Sequence, residues 1–226
     1  MRRERGGDNF DVVSPRPPVK RYDARYFDRW YRDPRHRVVT RASLARKARM
    51  VLGVAEYLLG RPVRTVLDIG CGEAPWRAVL RGGRPRLRYV GVDDSEYVVR
   101  RFGARRDIRR GRFGALGGLH LDAPFDLIVC SDVLQYVPRT ELERGVREVA
   151  SLLGGVAFLE AYTNADDMEG DLRGWQRRTS RYYRRLFARA GLVACGMHCY
   201  ASPRLAANMV ALERGWPEGE EQRWTR

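Results

Sequence analysis

Lysine is almost absent. Of the 43 basic side chains only Lys20 and Lys47 are lysine and the rest are arginine. So lopsided a ratio points to codon bias as much as to selection for a polyanion, and the net charge of +15 is therefore not by itself a nucleic-acid signature. The charge is also uneven: residues 1–49 carry 15 bases and 6 acids, residues 77–112 carry 12 and 4, and residues from 113 onward carry 14 and 15. Nucleic-acid binding asks for a basic face with interleaved aromatics or a recognisable reading module, so a solvated surface is favoured over a polyanion site. Long apolar runs are missing too. No stretch of about 18 uncharged apolar residues exists, which excludes a spanning helix. The opening MRRERGGDNFDVVSPRPPVK puts no apolar segment behind its charges and does not read as a signal peptide. Its Gly6-Gly7 pair, three prolines and scattered charge bury little surface and predict a disordered basic tail over 1–20. Cysteine is scarce. Cys71, Cys130, Cys195 and Cys199 have no secretory context, so reduced thiols in a cytoplasmic protein are expected. Cys195 and Cys199 flank His198, but three ligands in five residues lack the paired spacing of a structural zinc site, and no metal is expected.

What is present is one domain's worth of chain. The 226 residues suffice for a full core but not for two generous domains. The domain is expected over 41–215, after an N-terminal segment at 21–40 and before a short tail at 216–226. Leu44, Ala48, Val51, Leu52, Ala55, Leu58 and Leu59 recur at three- and four-residue steps and predict a helix over 41–59, stopped by Gly60 and Pro62. The chain then alternates. Strands are expected at 64–69, 88–93, 105–110, 125–131 and 155–162, with a helical piece at 76–81 and a helix capped by Ser95 that closes at Gly103. Thr140-x-x-Glu143 has the form of a capping box opening a helix to about 153. Tyr182, Tyr183, Leu186, Phe187 and Ala190 share one face of a helix over 180–191, and two last strands are expected at 192–200 and 207–213. This order predicts an α/β, doubly wound, mostly parallel sheet with helices on both faces. Ligands bind such sheets beyond the carboxyl ends of the strands, where strand order reverses.

The residues at those ends carry the functional signal. After the first strand comes Asp68-Ile69-Gly70-Cys71-Gly72, a G-x-G turn where backbone can approach a ligand closely. The second strand ends in Asp93-Asp94, with Asp93 25 residues past Asp68; a carboxylate there can accept both hydroxyls of a ribose. After the fourth strand come Ser131, Asp132 and Tyr136. Together VLDIGCG, YVGVDDSEYVVRRF and FDLIVCSDVLQYV resemble the class I S-adenosylmethionine-dependent methyltransferases over roughly residues 41–213. The resemblance implies a Rossmann-like seven-stranded sheet with one antiparallel strand near its end. It further implies S-adenosyl-L-methionine as cofactor, with Asp68, Gly70, Cys71 and Gly72 around the methionine moiety, Asp93 and Asp94 at the ribose, and Ser131 close by. Relatives often have Gly-Asp near the adenine amine, where this chain reads Gly111-Arg112-Phe113; adenine is then expected to rest on the Phe113 ring or on backbone around Arg112.

A third glycine, needed for helix packing beneath a pyrophosphate, is replaced by Ala74, and Glu73 repels phosphate. A phosphate-free ligand needs neither. Methyl transfer from a sulfonium chiefly requires orientation and exclusion of water, with a general base only when the nucleophile arrives protonated. Asp132 and Tyr136 are the candidates for catalysis, although Asp132 serves equally well as a turn cap and Tyr136 as packing. Trp30 and Tyr31 of the aromatic-arginine segment 21–37, Tyr136, and Asp171 of the acidic loop 166–171 are candidates for acceptor binding, the loop suiting a cationic or amine substrate. Tyr22, Tyr26, Phe27 and Trp30 lie at helical spacing, which packing alone also explains, and His36 reads as a surface residue. The leading expectation is a small-molecule methyltransferase. An RNA or protein methyltransferase using the basic segments, and a non-catalytic cofactor-binding partner or sensor, are the alternatives.

Overall fold

The computed structural model describes residues 20–82 and 84–215; apart from Lys20, the tails expected at 1–20 and 216–226 lie outside them. Seven strands form one sheet: β1 Thr65–Ile69, β2 Arg88–Asp93, β3 Ile108–Arg110, β4 Phe125–Cys130, β5 Leu153–Leu159, β6 Val193–Gly196 and β7 Cys199–Ala201, in the order β3-β2-β1-β4-β5-β7-β6. Neighbours are parallel from β3 through β5, and β7 runs antiparallel to both β5 and β6. The expected seven-stranded Rossmann-like sheet is what the chain forms. Asp68 of β1 pairs Gly91 of β2 on one side and Val129 of β4 on the other, so the reversal of strand order lies at the end of β1.

Alternation along β1 divides the core. Val66 faces one cluster, with Leu44, Val51 and Ala55 of α2 (Arg41–Leu59) and Trp76 and Leu80 of α3 (Pro75–Arg81). Leu67 and Ile69 face the other, with Leu142, Val146 and Val149 of α5 (Arg139–Leu152) and Tyr183 and Phe187 of α6 (Ser180–Arg189). The central strands β1, β2, β4 and β5 are buried along nearly their whole length, as their near-continuous apolar runs require, whereas the edge strands β3 and β6 are partly exposed. Among the described residues no helix is long and apolar enough to cross a membrane.

Four local expectations are corrected. The helix after β2, α4, spans Glu96–Arg106 and does not close at Gly103; Gly103 lies inside it because a Cβ there would come within 3.1 Å of the Ile108 carbonyl, and Asp107, in the left-handed region, makes the turn into a three-residue β3. The Thr140 capping box is not formed. The cap position is Pro138, and Glu143 instead accepts from Arg139 at 2.8 Å. The strand expected at 192–200 is a tight hairpin, β6 and β7, turned by Met197 and His198 at φ 53° and 60°, the paired positive values of a two-residue hairpin loop. No strand forms at 207–213. Ser202 and Pro203 start a short helix, α7 Pro203–Ala206, because the serine hydroxyl accepts from Leu205 N–H at 3.2 Å and proline is suited to a first turn. The four cysteines are free thiols, Cys195 and Cys199 standing on the two hairpin strands.

Candidate active site

The glycine turn after β1 is built from backbone strain that only some residues tolerate. Gly70 and Gly72 have φ 69° and 53°, where a side chain is disfavoured. A Cβ on Gly70 would collide with Val133 at 2.4 Å, and one on Gly72 with the Tyr31 hydroxyl at 2.6 Å. Gly70 N–H donates to the Val92 carbonyl at 2.7 Å, tying the turn to β2. Cys71 presents only backbone to the crevice: its buried thiol turns toward Gly91, and burial pushes its pKa up. Ala74 stands at φ 56°, a conformation a glycine would adopt more freely. The missing third glycine is thus a strained alanine, and Pro75 opens α3 directly after it.

Asp93, at the end of β2, accepts from Gly72 N–H at 2.7 Å and from Ser95 N–H at 2.9 Å, one donor on each oxygen. A carboxylate offers about four lone-pair sites, so each oxygen keeps one free for a ligand hydroxyl. Burial outweighs these bonds and raises its pKa to about 6. Asp68 is buried and accepts from the Tyr89 hydroxyl at 2.6 Å; burial, opposed by that bond and reinforced by Asp93, raises it to about 7. Carboxyls raised in the folded state cost stability as they ionise, so this cost sets in as pH climbs from the ordinary carboxylate range near 4 through about 6 for Asp93 and about 7 for Asp68. A bound cation would offset it. Asp94 is exposed beside Arg112. Phe113 is buried, and its ring and carbonyl fill the space where a Cβ of Gly145 in α5 would sit. The ring belongs to the core, which corrects the expectation of a face free to stack on adenine.

The segment 21–37 covers this turn. α1 (Ala24–Phe27) is capped by Asp23, whose side chain accepts from Tyr26 N–H, and a π-turn follows over Asp28–Arg32. Phe27 is buried and stacks on Tyr97 of α4 with centroids 5.6 Å apart. The Ser95 hydroxyl donates to the Tyr22 carbonyl at 2.5 Å, and Arg32 pairs with Glu73 at 2.5 Å. Tyr31 is thereby brought to Gly72, while Trp30 packs edge-on against His36 with Arg29 over its ring.

The far wall comes from the ends of β4 and β5. The Ser131 hydroxyl donates to Glu160 at 2.5 Å, and Glu160, buried at the end of β5, also accepts from Lys47 of α2 at 2.6 Å. Asp132 is held at φ 61°, an arrangement that marks functional turns more often than random loops, and accepts from Gln135 Nε2 at 2.5 Å. Its side chain opens to the mouth, yet the crevice walls desolvate it; with Glu160 adding repulsion, its pKa rises to about 6. Tyr136 donates its hydroxyl to the Asp171 carbonyl at 2.7 Å, and its ring faces the mouth. The acidic loop divides: Asp166 turns back to accept from Thr163 N–H and hydroxyl, and Asp171 pairs with Lys20 at 3.1 Å. Lys20, Lys47 and Glu160 are the site residues that the sequence alone did not single out.

A family model described as a methyltransferase domain matches residues 22–194. The chain belongs to that methyltransferase family. It is accordingly a methyl-transferring enzyme with S-adenosyl-L-methionine as cofactor. Among solved structures it is similar to DesVI of Streptomyces venezuelae, 16% identical, with 71% of this chain and 92% of that one covered at a TM-score of 0.57. It is similar also to an amino pentose methyltransferase of Micromonospora echinaspora, 16% identical, covering 70% and 91% at 0.54. A sugar N-methyltransferase of Streptoalloteichus is 19% identical, covering 66% and 79% at 0.52. At these identities the likeness is one of fold. No curated protein sequence matches the chain.

The site fits that cofactor. The two positive-φ glycines leave backbone bare for a close approach, Asp93 keeps lone pairs for a pair of hydroxyls, and Glu73 holds an arginine where a pyrophosphate would need an anion cradle. Three carboxyls with raised pKa values at one crevice suit a positively charged ligand. The bound methyltransferase cofactor supplies a methyl group on a sulfonium, already electrophilic. What remains for such an enzyme is to orient the acceptor, exclude water, and take up a proton where the acceptor carries one.

Proposed function

We propose that this methyltransferase acts on a small-molecule acceptor, with Asp93 holding the ribose of the cofactor, the Gly70–Gly72 turn bordering its methionine end, and Asp132 taking the acceptor's proton. One observation supports the small acceptor above the rest: the mouth is lidded by the chain's own N-terminal aromatics and walled by carboxylates. Asp132, Glu160 and Asp171 stand together there, with Asp93 and Asp94 behind the lid residue Tyr22. A phosphate backbone entering that mouth would meet the Asp93 and Asp132 carboxylates, and the two lysines there are already taken by Asp171 and Glu160, whereas polynucleotide binding depends on neutralising phosphates. The exposed arginines of α4, Arg100, Arg101 and Arg105, lie on the solvent side of a helix that buries Val98, Phe102 and Gly103.

Asp132 suits proton uptake because a carboxylate of pKa about 6 is ionised at neutral pH yet more basic than an ordinary aspartate. Tyr136 is a wall rather than an acid, since its hydroxyl proton is engaged by the Asp171 carbonyl. The test is transfer of a radiolabelled methyl group from the cofactor to a panel of small amines, alcohols and phenols, with bulk tRNA and a mixed protein substrate alongside. Labelling confined to one or more small molecules is expected. Labelling of tRNA or protein with none of the small molecules would overturn the reading.

A further inference from the structure

Only two lysines occur in the chain, and both point at carboxylates on the acceptor side of the crevice: Lys47 at Glu160 and Lys20 at Asp171. Lys20 is the stranger of the two. Its ammonium lies 3.8 Å from the centroid of the Tyr136 ring, 5.2 Å from that of Tyr22 and 5.4 Å from that of Tyr26. It is 3.1 Å from an Asp171 oxygen, and among the described residues the buried nitrogen has no acceptor of good hydrogen-bond geometry. Three rings and a carboxylate around a dehydrated ammonium form an aromatic cage, the arrangement by which proteins recognise ligand cations.

The cage is not a private packing arrangement of the N-terminal segment. The Tyr22 carbonyl is clasped by Ser95, whose N–H also holds Asp93, so one wall is fixed to the carboxylate at the end of β2. Tyr136 and Asp132 come from the end of β4, and the field of Asp132 reaches Lys20, Tyr22 and Tyr26. Gln135, fully buried between Asp132 and Tyr136, leaves its Oε1 without a partner among the described residues, one more acceptor for an N–H donor. The cage thus spans from the cofactor side to the acceptor side of one crevice.

We infer that the methyl acceptor is an amine, and that its ammonium is received among Tyr22, Tyr26, Tyr136 and Asp171, the place Lys20 holds in the free enzyme. This rests on the small-molecule methyltransferase reading above. The acceptor arrives as a cation, gives one N–H proton to the Asp132 carboxylate, and so frees the nitrogen lone pair that attack requires. Lys20 is a stand-in that keeps the cage closed and filled until the acceptor displaces it.

The probe is choline against 3,3-dimethylbutan-1-ol, which replaces the quaternary nitrogen by carbon and so removes the charge at nearly constant shape. Both are titrated by calorimetry into the full chain saturated with S-adenosylhomocysteine, as wild type, Lys20→Ala, and Lys20→Ala with Tyr136→Leu. Vacating the cage in Lys20→Ala is expected to tighten choline binding at least about tenfold over wild type, with the neutral alcohol at least about tenfold weaker than choline, and the added Tyr136→Leu is expected to remove most of the gain. Equal binding of choline and the alcohol, or no gain in Lys20→Ala, overturns the inference. The affinity for S-adenosylhomocysteine is read in separate titrations of the same proteins without it. Its absence in wild type would fail the methyltransferase reading itself, whereas its presence without a charge-dependent gain would fail the cage alone.

Discussion

Replacing Asp93 with alanine is expected to weaken S-adenosylmethionine binding at least about 100-fold, or about 2.7 kcal/mol, with the fold retained. The carboxylate does two things at once. On the proposed reading its free lone pairs take the ribose hydroxyls, and it holds Gly72 N–H and Ser95 N–H in place. Hydrogen bonds to a charged group contribute about 1.5–3 kcal/mol each, so losing two such contacts to a ribose accounts for the magnitude without invoking disorder of the turn. Asp93→Asn keeps one acceptor oxygen and should fall between. Asp94→Asn, at an exposed neighbour that faces Arg112, should change binding little. The same residue predicts a pH profile. Because its pKa in the free enzyme is about 6, the acceptor form is filled as pH rises through that value, so wild-type affinity should climb about tenfold between pH 5 and pH 7 and the climb should flatten in Asp93→Asn. Calorimetry across that range reads both effects. A wild-type affinity indifferent to pH, with Asp93→Ala binding normally, would remove the ribose assignment.

Glu160→Ala should be the more damaging substitution for stability. Its carboxylate is buried and takes the Lys47 ammonium at 2.6 Å and the Ser131 hydroxyl at 2.5 Å, joining α2 to the ends of β4 and β5. Removing one partner of a buried pair leaves the other charge uncompensated, at a cost of about 3 kcal/mol. For a chain of this size that corresponds to a fall in Tm of roughly 6–12 °C. The double change Lys47→Met with Glu160→Ala removes the orphaned charge and should recover at least about 1 kcal/mol, a coupling that a double-mutant cycle in thermal unfolding measures. Additive losses would mean the pair is incidental. Since Asp132 follows Ser131 directly, the single variant should also lose methyl transfer beyond what its unfolded fraction explains, even at temperatures where it is folded.

The strand ends were legible because parallel strands buried on both faces are short apolar runs, and each such run here stops at a glycine or an acid. VLDIGCG, YVGVDD and FDLIVCSD carry that pattern without help from tertiary context. The hairpin of β6 and β7 was not legible, because Met197 and His198 occupy positions that Asn and Gly usually mark. The capping box at Thr140 failed because Arg139 engages Glu143 in its place, a local competition that the motif does not encode. Phe113 was misjudged for a different reason. Its position after β3 was right, but which way the ring turned depended on Gly145, whose missing side chain opens the slot it fills. Lys20–Asp171 and Lys47–Glu160 join residues more than a hundred positions apart, and no spacing rule reaches that far. The scarcity of lysine was their only trace in the sequence: where nearly every base is arginine, the two exceptions both pair with carboxylates that follow β5.

The most direct test of the account is a crystal structure of the chain with S-adenosylhomocysteine. The prediction is a ribose with both hydroxyls on the Asp93 carboxylate and the amino acid end against the Gly70–Gly72 turn. A ligand bound elsewhere with Asp93 untouched, or a nicotinamide dinucleotide taking the same turn with its pyrophosphate beside Glu73, would contradict it.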